Sequence, residues 1–149
     1  MKRKLPTVMT ALLLSTGAAC AGPLDDGVAA YQLGDYATAV AKFRPLASQG
    51  DSNAQFNLGL MYRKGQGVAQ DYAVAVKWYR LAAAQGVASA QFNLGLMYDQ
   101  QKGMAQNNAE AVKWYRLAAA QGHAGAQSNL NVMYYQGRGV AQNNAETLK

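Results

Sequence analysis

Side chains able to do covalent or proton-transfer chemistry are scarce in this chain of 149 residues, which holds one histidine and one cysteine. Ser48, Ser52, Ser89 and Ser128 sit in no nucleophile elbow, and none has a base close by in sequence. His123 falls where a helix is expected to begin, which suits a surface or capping role better than that of a general base. Gly65-Gln66-Gly67 lacks the Lys and Ser/Thr of a phosphate-binding loop and reads as a turn. Asp25-Asp26 is the one adjacent pair of carboxylates, placed to favour a helix N-terminus. No His, Cys, Asp or Glu cluster has metal-ligand spacing. These residues predict no catalytic site, no metal and no cofactor, so the chain is expected not to be an enzyme.

Recognition chemistry is better supplied. Asn57, Asn93 and Asn129 recur every 36 residues, and each amide offers both a donor and an acceptor to an extended backbone. Phe56 and Phe92 share that period and lie roughly opposite Ala54-Leu58 and Ala90-Leu94 on a helix. That places them away from the core within each repeat, as anchors in register. Two plainer roles stay open: the rings pack on the adjacent repeat, and the amides tie turns together.

The elements that must position these residues follow from the same period. Residues 54–62, Ala-Gln-Phe-Asn-Leu-Gly-Leu-Met-Tyr, return unchanged as 90–98 and altered as 126–134. Residues 75–86 likewise return as 111–122. A fixed period between 20 and 50 residues marks a solenoid of stacked units. Ala54, Leu58, Met61 and Tyr62 share one helical face, and Gly65 and Gly67 then stop the helix and turn the chain. Asp71, Asn107 and Asn143 can cap the second helix, whose inner side carries Ala75, Tyr79, Ala82 and Ala83, with Trp78 at the edge. Gly50, Gly86 and Gly122 end it. Small residues at Ala54, Gly59, Ala75 and Ala82 let helices approach closely. The expected units are 24–50, 54–86, 90–122 and an incomplete 126–149, in which Leu130, Met133 and Tyr134 should be partly uncovered.

The N-terminus reads separately. Met1-Lys-Arg-Lys4 and the apolar Val8 to Ala19 form a signal peptide, with Ala19-Cys20-Ala21 as the cleavage pattern, so the leader is 1–21 and the repeat domain 22–149. The apolar run is too short to span a membrane. Export to the periplasm or medium is expected. The alternative is a lipoprotein anchored at Cys20, although Gly17 stands where such sites usually carry a branched apolar residue. Three of the 14 basic residues lie in the leader, leaving 11 against eight acidic ones, or about +3. Basic residues fall singly, as at Lys77, Arg80, Lys113 and Arg116, which argues against a nucleic-acid partner. Loss of Cys20 with the leader removes thiol chemistry.

Taken together, the residues resemble the Sel-one-like repeat proteins, relatives of the tetratricopeptide repeats. The pattern A-x-x-x-L-G-x-x-Y, G-x-G-V, D-Y-x-x-A-x-x-W-Y-x-x-A-A-x-x-G is met by Ala54, Leu58, Gly59, Tyr62; Gly65, Gly67, Val68; and Asp71, Tyr72, Ala75, Trp78, Tyr79, Ala82, Ala83, Gly86. The first unit resembles an ordinary tetratricopeptide unit through Gly27, Ala39 and Phe43. Gln101 replaces Gly65 in the next repeat, and Asn131 replaces Gly59 in the last.

The resemblance implies an all-α fold, a right-handed α-solenoid of antiparallel helix pairs that serves as a non-catalytic adaptor for a protein or peptide. By the same resemblance the first helices line a binding groove with Asn53, Phe56, Leu60 and Arg63 from one repeat. Ser89, Phe92, Leu96 and Asp99 follow from the next, and Ser128, Val132 and Tyr135 from the last, bordered by Asn57, Asn93 and Asn129. A cysteine-rich branch of the family is associated with β-lactams, but its cysteine pairs are missing here, leaving a β-lactam- or peptidoglycan-directed enzyme as a weak alternative. A self-assembling spacer that pairs through the C-terminal end is the other.

Overall fold

A computed structural model of the protein describes residues 21–140. The expected leader with Cys20, and the cap expected from Asn143, lie outside the described residues. Seven helices and no strand are present among them: α1 (Pro23–Gln32), α2 (Tyr36–Ser48), α3 (Ser52–Lys64), α4 (Tyr72–Ala84), α5 (Ala88–Asp99), α6 (Asn108–Ala120) and α7 (Ala124–Tyr135). Each helix packs chiefly on the one before and the one after it in the chain. The fold is the all-α solenoid that the sequence period predicts.

Local chemistry sets the helix boundaries as expected. Asp35, Asp51, Asp71 and Asn107 occupy N-cap positions of α2, α3, α4 and α6, and each side-chain oxygen accepts a backbone N–H from the first turn. His123 takes the same role on α7, where Nδ1 accepts from the Ala126 N–H at 3.1 Å. The glycine at 65 ends α3 in the left-handed region with φ of 69°. Its replacement in the next loop, Gln101, keeps that conformation with φ of 56°, so the turn survives without its glycine.

Small residues allow close helix contact. A Cβ on Gly59 would lie 2.7 Å from the Tyr79 ring, and one on Gly95 would lie 2.7 Å from Tyr115. Between repeats, the Gly67 Cα rests on the first turn of α2, where a Cβ would be 2.6 Å from the Tyr36 carbonyl. Gly103 and Gly139 meet Tyr72 and Asn108 in the same manner.

The core divides into three clusters along the solenoid. Ala39, Val40 and Phe43 of α2 pack with Ala54, Leu58 and Met61 of α3 in the first. Equivalent residues of α4 and α5 form the second, and those of α6 and α7 the third. Ala54, Leu58 and Met61 thus face the second helix of the preceding unit, an assignment that periodicity alone leaves open. One expectation changes as a result. Leu130 and Met133 are buried rather than uncovered, because α6 already covers that face, and Tyr134 is half-buried.

Polar ladders tie the units together. Gln85 Nε2 donates to Gln55 Oε1 at 2.8 Å, and Gln121 Nε2 to Gln91 Oε1 at 2.9 Å. Gln55 and Gln91 in turn donate to the Ala47 and Ala83 carbonyls. Arginines of the second helices reach the next tyrosine: Arg44 to Tyr62, Arg80 to Tyr98 and Arg116 to Tyr134. Buried amides bonded in this way satisfy one another and fix the helix register.

Candidate functional site

The expected groove residues fall on α3, α5 and α7 at equivalent positions, with the structure sorting them into different roles. Phe56 and Phe92 are half-buried packing residues and do not face outward from the core. The Phe56 ring lies 6.1 Å from Tyr79, and the Phe92 ring lies 5.9 Å from Tyr115. Phe92 also stacks on His123 at 4.5 Å and approaches Gly125, closing the seam to the next unit. The expectation that these rings turn away from the core fails because a solenoid helix is covered on more than one side. Leu96 packs with Phe92 against the third cluster.

The asparagine positions do not form a uniform ladder. Asn57 Nδ2 bonds its own helix at the Asn53 carbonyl, 2.9 Å away. Asn93 is buried, whereas Asn129 is half-buried and donates to the Tyr115 hydroxyl at 3.3 Å. Two of the three amides therefore tie the protein to itself. More open to solvent are Asn53 and Ser128, with Ser89, Leu60 and Leu96 partly covered. On α7, Val132 is 49% exposed and Tyr135 is 95% exposed.

Arg63 and Asp99, equivalent in sequence, have opposite surroundings. Asp99 forms an ion pair with Arg138 and accepts from the Tyr115 hydroxyl at 3.4 Å. Arg63 joins no ion pair among the described residues. Its Nε and the hydroxyl of the adjacent Tyr79 are shut off from solvent without a hydrogen-bond partner. Burial pushes Tyr79 up to about 12, opposed by the charge and the close polar contact of the adjacent Arg63 guanidinium. Burial also pushes Tyr115 up to about 12, with the Asn129 hydrogen bond opposing and the Asp99 charge adding.

Tyr79, Tyr115 and Arg138 contact the expected groove residues from neighbouring elements, and sequence reasoning did not place them there. The neutral Gln66 gives way to a basic residue at the equivalent position 138, which was the available signal for Arg138. A cavity of about 410 Å³ lined by Tyr62, Val74, Lys77, Trp78 and Leu81 includes none of the expected groove residues. Among the described residues there is no helix long and apolar enough to cross a membrane, and no group of three or more metal-ligating side chains.

Comparison with known proteins places these features in a family. The Sel1 repeat profile matches residues 52–87, 88–123 and 124–149. A crystal structure of a Sel1 repeat protein from Oxalobacter formigenes is 40% identical with a TM-score of 0.74, covering 78% of this chain and 48% of that one. Another, c5321, is a protective antigen present in uropathogenic Escherichia coli strains and displays an SLR fold. It is 44% identical with a TM-score of 0.76, covering 80% of this chain and 26% of that one. The chain thus spans about half the length of the first and about a quarter of the second. No curated protein matches. Sel1 repeats generally mediate protein–protein interaction, on a fold that is typically a non-catalytic scaffold. With three repeat matches over most of its length and the solenoid they imply, the chain belongs to the Sel1 repeat family.

Proposed function

We propose that the protein is an exported adaptor that holds an extended segment of a partner protein across α3, α5 and α7. The observation that carries this reading is a row of three aliphatic residues. Leu60, Leu96 and Val132 stand at one position of successive helices, and each is left partly open to water. Asn53, Ser89 and Ser128 supply polar groups beside them, with Arg63, Asp99 and Tyr135 one turn further on. A partly exposed apolar row flanked by hydrogen-bonding groups suits side-chain anchoring along a peptide. Phe56 and Phe92 support this wall from behind and are not its anchors.

In-cell photo-crosslinking tests the reading, with the reactive group at position 60 or 96 and a control at the exposed Lys77. Positions 60 and 96 should capture a foreign protein, and position 77 should not. Self-crosslinks alone would remove the adaptor reading and favour assembly through the open face of α7. The export component is tested by the mass of the mature chain, which should begin at Gly22. Acylation at Cys20 would replace cleavage behind Ala21 with the lipoprotein alternative.

A further inference from the structure

The cavity of about 410 Å³ lies on the second helix of the unit 54–86 and shares no residue with the strip. Val74, Lys77, Trp78 and Leu81 line it along one stripe of α4, and Tyr62 joins them from α3. The next unit keeps every lining residue but one. Tyr98, Lys113, Trp114 and Leu117 are the same, whereas Glu110 stands where α4 has Val74. That exchange supplies the lysine from within. Lys113 pairs with the Glu110 carboxylate at 3.6 Å and holds its ammonium 5.2 Å from the Trp114 ring centroid. The Trp114 indole N–H is shut off from solvent there. The α2 copy has Thr38, Ala41, Lys42 and Pro45 at these positions and no indole at all.

On α4 the same lysine lacks its acid. Among the described residues Lys77 joins no ion pair, and no cation stands over Trp78. Arg44 brings a second cation to the cavity, donating to the Tyr62 hydroxyl at 3.2 Å. No carboxylate lines the space, and Leu81 beside it is 50% exposed. An apolar floor next to an unpaired ammonium selects a molecule with an apolar body and one negative end. Glu110 shows that a carboxylate is the group this lysine position takes. We infer that the Trp78 cavity binds a free amphiphilic carboxylic acid, its tail against Trp78 and Leu81 and its carboxylate on Lys77. Its size falls among small-ligand sites, which span about 300–1,000 Å³. The lining does not run on into the adjacent units, where Lys42 and Glu110 interrupt it, so an extended protein segment finds no continuous track. The inference is independent of the adaptor reading above.

Two tryptophans give the ¹⁵N-labelled full chain two indole N–H signals, and Trp78→Phe assigns them. The protein is titrated with octanoate, octylammonium and acetate, each kept below micelle formation. The Trp78 signal should move and saturate with octanoate while Trp114 stays still. Acetate lacks the tail and octylammonium carries the wrong charge, so each should bind at least about tenfold more weakly. Lys77→Gln should weaken octanoate about threefold, the scale of an exposed ion pair. Val74→Glu should abolish the Trp78 response by giving Lys77 an internal acid, and Glu110→Val should make Trp114 respond. Each of these two changes imports a residue that the other repeat already carries, so the fold is kept. Silence of Trp78 with octanoate, an equal response to octylammonium, or a response unchanged in Val74→Glu overturns the site. A Trp114 signal still silent in Glu110→Val also overturns it, as does a foreign protein captured from position 77. Capture from positions 60 and 96 is read separately, so either reading can fail without the other.

Discussion

Tyr79 and Tyr115 lie in identical twelve-residue segments, 75–86 and 111–122, and both are fully buried. One hydroxyl has no partner, while the other donates to Asp99 and accepts from Asn129. The difference arises outside the segment that carries the tyrosine. It comes from the residue ending the preceding helix (Arg63 against Asp99) and from the following first helix, where Asn129 reaches the Tyr115 hydroxyl. In this solenoid the second helices supply a constant backing, while the ends of the first helices set the local chemistry.

The sharpest way to break that comparison is at the glycine facing each tyrosine. Gly59→Ala should cost about 2–3 kcal/mol, because its Cβ must enter space held by the Tyr79 ring. Asn131→Ala, at the exposed equivalent on α7, should stay within about 0.5 kcal/mol. Urea unfolding of both variants decides it. Equal costs would mean that close approach of helix backbone to ring does not set the fit within a unit.

The tyrosines themselves come next. Tyr115→Phe should lose about 1–2 kcal/mol, since Asp99 and Asn129 are each left one bond short. Tyr79→Phe should fall within about 0.5 kcal/mol of the parent or above it, because an unpartnered hydroxyl contributes nothing. The first unit already has Phe43 at this position. Matching losses in thermal melts would show that Tyr79 has an unseen partner.

A smaller contrast concerns helix starts. Asp51 caps α3 and His123 caps α7, but Val87 provides no side-chain cap for α5. His123→Ala should cost about 1 kcal/mol, and His123→Asp should restore most of it. If His123→Asp melts as low as His123→Ala, stacking on Phe92 outweighs the cap.

How far the sequence could be read follows from the same geometry. The period, the caps at Asp71 and Asn107, and the turns at Gly50, Gly86 and Gly122 depend on neighbours in the chain, so local spacing revealed them. Which neighbour covers which face depends on packing between units. Periodicity showed that Leu58 and Phe56 lie on different sides of α3 but not that both sides are covered. The same blindness affected Leu130 and Met133, assigned to a missing helix although α6 buries them.

One consequence belongs to the loops that rest on neighbouring main chain at Gly67, Gly103 and Gly139. With no side chain between them, the step from hairpin to hairpin has the same length wherever that contact forms. Substitutions on the wall can therefore alter what is gripped without altering the spacing of the grips. The array works as a ruler whose graduations are backbone and whose markings are free to evolve.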